Sequence, residues 1–262
     1  MAAGDRSTSH WFLLRQLVRR DLEARYAGSV FGFLWSFAQP LWTLLLFTFI
    51  FSTILRVRPS GELTDHFSIF LFGGLLPWMA LQEGVMRSAT AITDNANLVT
   101  KLRFPTQTLV LAVVLAALVH QAIAAVVFVA ALLVVGEFAG GGLPLLLVAV
   151  PLQVGLTLGL GLLAGALHVF FRDTVQLLGV ALQAWFYLTP IVYPLELVPE
   201  AYRPWLERNP LAILVDLYRR AFLAGELGWP PHLLTLVAAV AVLLFAGAWL
   251  FRRLKPAFGD EL

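Results

Sequence analysis

Apolar residues along this chain collect into six long runs, at about 32–55, 67–86, 106–135, 145–169, 174–193 and 231–251, with the polar residues held in the gaps between them. A helix needs roughly 20 apolar residues to cross about 30 Å of hydrocarbon, and lipid forces every backbone polar group to find its partner inside the segment. The pattern predicts an all-α polytopic membrane protein with six transmembrane helices.

The gaps carry their own signals. Before the first run, Trp11, Leu14, Val18 and Leu22 recur at helical spacing, while Arg15, Gln16, Arg19, Arg20 and Glu23 occupy the opposite side. A basic amphipathic helix of this kind lies in the plane of the membrane interface, so residues 1–31 are read as an N-terminal arm with an interface helix. Its charges, including Arg25, break any apolar core of a signal peptide. Residues 56–66 form a polar loop with Pro59 and Gly61 as turn signals, and Gly140, Gly141, Gly142 and Pro144 mark another turn. Residues 87–105 hold a short polar helix over about 94–104, in which Asp94 or Asn95 is placed to cap and Pro105 to terminate. Residues 194–229 carry charges, prolines at 194, 199, 204 and 210, and apolar stretches too short to span. They read as re-entrant or interfacial helices before the last span.

Basic residues set an expected orientation. With the N terminus inside, the cytoplasmic segments hold Arg6, Arg15, Arg19, Arg20, Arg25, Arg87, Lys101, Arg103, Arg172, Arg252, Arg253 and Lys255. The outer segments hold Arg56, Arg58, Arg203, Arg208, Arg219 and Arg220. Twelve against six places both termini in the cytoplasm.

Composition narrows the class. The chain has 262 residues, 60% hydrophobic and 13% charged, against about a quarter charged in a soluble domain. One membrane domain, over 32–262, takes almost the whole length. A net charge of +2 gives nucleic acid no basic surface, and the absence of cysteine excludes disulfides and thiolate chemistry. His10, His66, His120, His168 and His232 lack metal-ligand spacing, so no metal site and no catalytic residue is assigned. No segment fits the phosphate-binding P-loop, so the chain does not hydrolyse ATP by that route. Asp21, Glu23, Asp94 and Asp173 lie apart, which argues against a membrane-embedded transferase that clusters carboxylates around a metal.

Two faces suggest how a solute is met. Trp35, Trp42 and Phe49 recur every seven residues on the first span, and Gln176, Val180, Gln183 and Tyr187 share a face of the fifth. Aromatic planes suit sugar C–H faces and amides suit hydroxyls. The alternatives are interface anchoring by Trp and interhelical bonding by Gln. Gly155 and Gly159, then Gly161 and Gly165, form small-xxx-small pairs expected to let helices approach closely. Glu83 and His120 are the candidate ionisable residues within predicted spans, and such groups are expected to face the bundle interior.

Several motifs together resemble one family. Arg20-Asp21-Leu22, Arg25-Tyr26, Ser29, Gly32, Trp35 and Gln39-Pro40-Leu41 resemble the N-terminal signature of type-2 ABC exporter permeases that move cell-surface polysaccharides of O-antigen, capsule or teichoic-acid type. Lys101-Leu102-Arg103-Phe104-Pro105 resembles the coupling-helix segment. Leu188-Thr189-Pro190-Ile191-Val192-Tyr193-Pro194 resembles the fifth-span exit, and Asn209-Pro210-Leu211 with Asp216, Tyr218-Arg219 and Gly225 the external gate region. The resemblance runs in order over nearly the whole chain. It implies a permease that is not itself an enzyme, works as a homodimer in the bacterial inner membrane, and binds two cytosolic ATPase subunits that use ATP and Mg2+. It further implies a polysaccharide path at the dimer centre, a lipid carrier being open. On that basis Trp35, Trp42, Phe49, Gln176, Gln183 and Tyr187 are expected on the substrate path. Asp94, Asn97, Lys101 and Arg103 are expected at the ATPase, or else form only a basic inside loop. Arg15, Arg19, Arg20 and Arg25 belong to the interface helix, and Tyr193, Glu196, Glu207, Arg208, Asn209, Asp216 and Arg219 to the external gate. Drug and lipid-oligosaccharide exporters share this architecture and remain the alternative.

Overall fold

The computed structural model describes residues 4–26, 29, 31–54, 63–101 and 105–262, with the side chains of 4–10, 24–26, 33, 52 and 101 outside that description. The described residues form eleven α-helices joined by short 3-10 and π turns: α1 (Gly4–Tyr26), α2 (Trp35–Phe47), α3 (Phe67–Thr90), α4 (Ala96–Lys101), α5 (Gln107–Val135), α6 (Leu146–Phe170), α7 (Thr174–Tyr187), α8 (Arg203–Glu207), α9 (Pro210–Leu223), α10 (Leu233–Leu254) and α11 (Phe258–Glu261).

The helix α3 is the hub, against which α2, α5, α6, α7 and α9 pack. Its buried share decides this: 72% of its apolar window is buried, against 17% for the equivalent windows of α5 and of the stretch containing α10. Those two helices turn a whole face outward, with Val126, Val134, Leu234 and Phe245 exposed. An apolar helix bare on one side is what lipid accommodates and water does not. Aromatic packing fills the hub, with Phe72 5.2 Å from Phe128 and Phe128 5.6 Å from Phe222, centroid to centroid.

Close helix approach follows from small residues. A Cβ at Gly155 would meet the Val240 side chain at 2.5 Å, and one at Gly159 would meet the Leu243 backbone at 2.7 Å, so this pair seats α6 on α10. Gly161 and Gly165 face the other way, onto Ser88 of α3. Both small-residue pairs serve packing, as expected.

Three departures of helix ends from the sequence expectation have a clear physical cause. α3 runs four residues past 86, through Arg87, because that guanidinium is paired with Asp21 and Glu83 and needs no water of its own. The fifth run stops at Tyr187 rather than 193, because Pro190 lacks an N–H and turns the residue before it away from helical geometry. The first run divides into α2 and a π-helical turn, Thr48–Ile54, and the Thr48 hydroxyl donates to the Leu44 carbonyl at that boundary. Among the described residues four helical stretches are long and apolar enough to cross a membrane, Phe67–Thr90, Gln107–Val135, Leu143–Phe170 and Leu233–Glu261, and Trp35–Phe51 is a shorter apolar one.

Candidate functional site

At one end of the bundle, α1 lies along α5, burying Leu14 and Leu17 beside Leu109, Ala112 and Val113. The buried stripe is rotated from the expected one: Leu17 packs inward, whereas Trp11 stays 72% exposed. Charge then ties α1 to the hub. Arg87 Nη1 donates to Asp21 Oδ2 over 2.8 Å, and Nη2 donates to Oδ1, a bidentate fork between α3 and α1. Arg87 also lies 3.6 Å from Glu83, which in turn is 3.6 Å from His120 Nδ1 on α5. The two ionisable residues noted within the spans thus join one chain of ionisable groups leading in from α1.

The same helix reaches the α3–α5 connection. Arg20 Nη2 donates to Asn95 Oδ1 over 2.6 Å, while Asn95 Nδ2 donates to the Ala91 carbonyl. Arg15 is exposed, and Arg19 pairs with Glu23 across one helical turn at 2.7 Å; this hydrogen bond and the Glu23 charge raise the Arg19 pKa. The α3–α5 connection is a 3-10 turn, Thr93–Asn95, followed by the six-residue α4, with Asp94 and Asn97 exposed. The side chains of Arg25 and Lys101, and residue Arg103, lie outside the described residues.

At the opposite end, α9 is a 14-residue helix buried on most of its circumference. Asn209 caps it, accepting from Leu211 N over 3.0 Å, with Pro210 at the first helical position. The same amide accepts from Trp185 Nε1 at 2.9 Å and donates to Thr189 Oγ1 at 2.9 Å and the Leu188 carbonyl at 3.2 Å. Arg219 fixes the other half. Its guanidinium stands 3.5 Å from the Phe70 ring centroid and donates to the Phe70, Pro190 and Ile191 carbonyls at 3.2, 3.0 and 3.0 Å. Gly74 gives it room, since a Cβ there would lie 2.8 Å from Nη2. Sequence reasoning set Arg219 in an external, solvated segment; the structure buries it, 7% exposed, because the turn after α7 presents carbonyls and Phe70 a ring.

Around this junction four expected gate residues, Glu196, Glu207, Asp216 and Arg219, line one cavity of about 290 Å³. Asp216 also pairs with Arg220 at 2.9 Å. Tyr193 is half-buried and donates to the Tyr187 carbonyl, and Arg208 is exposed away from the cavity lining.

The two faces expected on the substrate path are both bare in the single chain. Trp35, Trp42 and Phe49 are 47%, 63% and 57% exposed, and Gln176, Gln183 and Tyr187 are exposed on α7. α7 buries only Leu182. Sequence reasoning missed a buried polar link inside the bundle: Gln121 and Gln153 exchange amide hydrogen bonds at 3.0 and 2.7 Å, and Gln153 also donates to the Pro77 carbonyl. Two glutamines interrupting long apolar runs were the available signal.

A helical hub of membrane-spanning length, wrapped by outward-facing apolar helices and packed at one end against the capped, mostly buried α9, defines a multi-pass membrane protein. The chain belongs to the ABC-2 type transporter family, which matches residues 13–223. It is 32% identical over 252 residues, 95% of each chain, to the O-antigen export system permease protein RfbA of Myxococcus xanthus. It is 30% identical over 254 residues, again 95% of each, to RfbA of Klebsiella pneumoniae. Its identity to the polysialic acid transport protein KpsM of Escherichia coli is 28% over 246 residues, 92% of this chain and 93% of that one.

Proposed function

We propose that this chain is the membrane-spanning permease subunit of an ATP-driven exporter that carries a cell-surface polysaccharide of O-antigen or capsule type across the bacterial inner membrane. The observation that carries this reading is similarity over 95% of the chain to permeases of O-antigen export. The drug-exporter alternative lacks such support.

Energy comes from a separate ATPase dimer, which binds the ATP and Mg2+; the permease has no P-loop and holds no cofactor of its own. Both termini and α1 lie on the cytoplasmic side, where basic residues are in excess. The ATPase is met by the Thr93–Asn95 turn and α4, whose Asp94 and Asn97 are exposed beside α1. Two copies pair through the bare sides of α2 and α7, and the glycan moves between them past Trp35, Trp42, Phe49, Gln176, Gln183 and Tyr187. Many weak stacking and amide contacts suit a polymer, because tight binding at one site would stall it. At the outer end α9 and residues 194–208 close the exit.

The chain has no cysteine, so a single cysteine at Asp94 or Asn97 reports one position. In the assembled complex it is expected to cross-link to the ATPase. A complex that exports glycan yet gives no cross-link from either position contradicts the placement.

A further inference from the structure

Two very short helices meet at the α1 end of the bundle. α11, the four residues Phe258–Glu261, packs on α4, the six residues Ala96–Lys101, and on α6. Neither is stable alone, because helices shorter than about 12–15 residues are marginal in water without tertiary packing. What each packs against therefore decides whether it forms and where it stands.

One side chain anchors α11. Phe258 is 1% exposed, whereas Gly259, Asp260 and Glu261 are exposed. The Phe258 ring meets Phe251 of α10 edge-on, 5.3 Å between centroids, and lies 6.1 Å from Phe170, the last residue of α6. Ile92, Val110 and Leu162 belong to the same buried group, so α5, α6 and α10 all contribute to it. α4 is held less firmly. Asn97 and Thr100 are exposed, and Leu98 and Val99 are only partly buried. Val99 packs against two buried groups, that of Phe258 and that of Leu14, Leu17 and Leu109. The preceding turn is tied to α1 by the Arg20–Asn95 hydrogen bond. From α1 and from α11, then, side chains converge on the short connection between α3 and α5.

We propose that Phe258 is a positioning residue for energy coupling: it seats α4 on α6 and α10, so that a displacement imposed on α4 by the ATPase is delivered to those spans. The inference rests on the reading that α4 meets the ATPase. A dense interior scarcely compresses, so packed side chains pass a displacement on rather than absorb it. α6 shares it with α10 across the tight crossing at Gly159, where a Cβ would lie 2.7 Å from the Leu243 backbone. Removing the ring leaves docking and ATP hydrolysis in place and breaks the delivery.

Phe258→Ala, Phe258→Leu and Leu262→Ala are compared with wild type in the intact permease–ATPase complex. Leu262 lies past the last helical residue and packs partly buried against the same group, so its truncation leaves every helix in place. Three quantities are read: ATP hydrolysis per purified complex, surface glycan per complex in cells, and cross-linking of an added Asn97→Cys to the ATPase. Phe258→Ala is expected to lower glycan exported per ATP about fivefold, and Leu262→Ala about twofold, the range that substitutions along a coupling route produce. Hydrolysis and the cross-link are expected to persist, and Phe258→Leu, which keeps an apolar side chain in the seat, to restore most of the ratio. A general loss of structure would instead lower hydrolysis and export together. Wild-type ratios in Phe258→Ala and Leu262→Ala, or export that falls only in proportion to hydrolysis, overturns the seat. Where Phe258→Ala does not assemble, the ratio in Leu262→Ala decides in the same way. An exporting wild-type complex that gives no cross-link from Asn97→Cys breaks the docking reading beneath; a retained cross-link with unchanged ratios breaks only the seat.

Discussion

Trp185 Nε1 donates to Asn209 Oδ1 over 2.9 Å, so α7 and the cap of α9 share one side chain. Asn209 also satisfies Leu211 N and bonds Thr189 and Leu188. The α7 exit and α9 therefore behave as one unit, clamped from the far side by Arg219.

Asn209→Ala removes a helix cap worth about 1 kcal/mol and strands the Trp185 N–H at a further cost of about 1–3 kcal/mol. The purified protein is expected to unfold at a clearly lower temperature. Asn209→Asp keeps the acceptor and loses only the amide donor, so its effect is smaller. Equal melting of wild type and Asn209→Ala would contradict the clamp.

A double-mutant cycle with Asp21→Asn and Arg87→Met reports the fork joining α1 to the hub. A coupling of about 0.5–3 kcal/mol is expected, reduced by the partial exposure of both side chains. Additive effects on stability would mean that the pair is not formed in the membrane.

Gly159→Leu forces side-chain atoms into the Leu243 backbone, where even a Cβ sits at 2.7 Å. Overpacking of this order costs about 1–3 kcal/mol or more, so the variant is expected to lose α6–α10 packing and be recovered in low yield. Gly179→Leu is the control, since a Cβ there is no closer than 4.0 Å to Met86. Equal recovery of the two variants would contradict the tight crossing.

The order and ends of the longest helices were legible because apolar length alone sets them: α5 begins within a residue of the expected start and ends where expected, at Val135 and the left-handed Gly136. The glycine pairs of α6 were legible from spacing, whereas the capping role of Asn209 emerged only from the structure. What a linear pattern hides is pairing across distance. Asp21 and Arg87 are 66 residues apart, and their meeting is why α3 extends past its apolar run. Arg219 looked like a solvated charge because its partners are backbone carbonyls and a ring, which carry no sequence signal. Glu196, Glu207 and Asp216, expected at an external gate, are separated along the chain and meet at one cavity only once α9 folds back.

The exposed α2 and α7 faces lead to a transport prediction. Trp42→Ala and Tyr187→Ala are expected to lower glycan export per folded complex several-fold, the double variant most, with assembly intact, because each removes a stacking surface worth about 1 kcal/mol per sugar contact. Wild-type export by the double variant would assign these faces to lipid or packing.

The central claim is polysaccharide export, and the most direct measurement is surface glycan in cells of the source bacterium with and without this chain. Loss of surface polysaccharide, accumulation of the same polymer inside the inner membrane, and restoration of both by the reintroduced chain is the result predicted. Unchanged surface polysaccharide in cells lacking the chain, with no internal pool, would contradict the account.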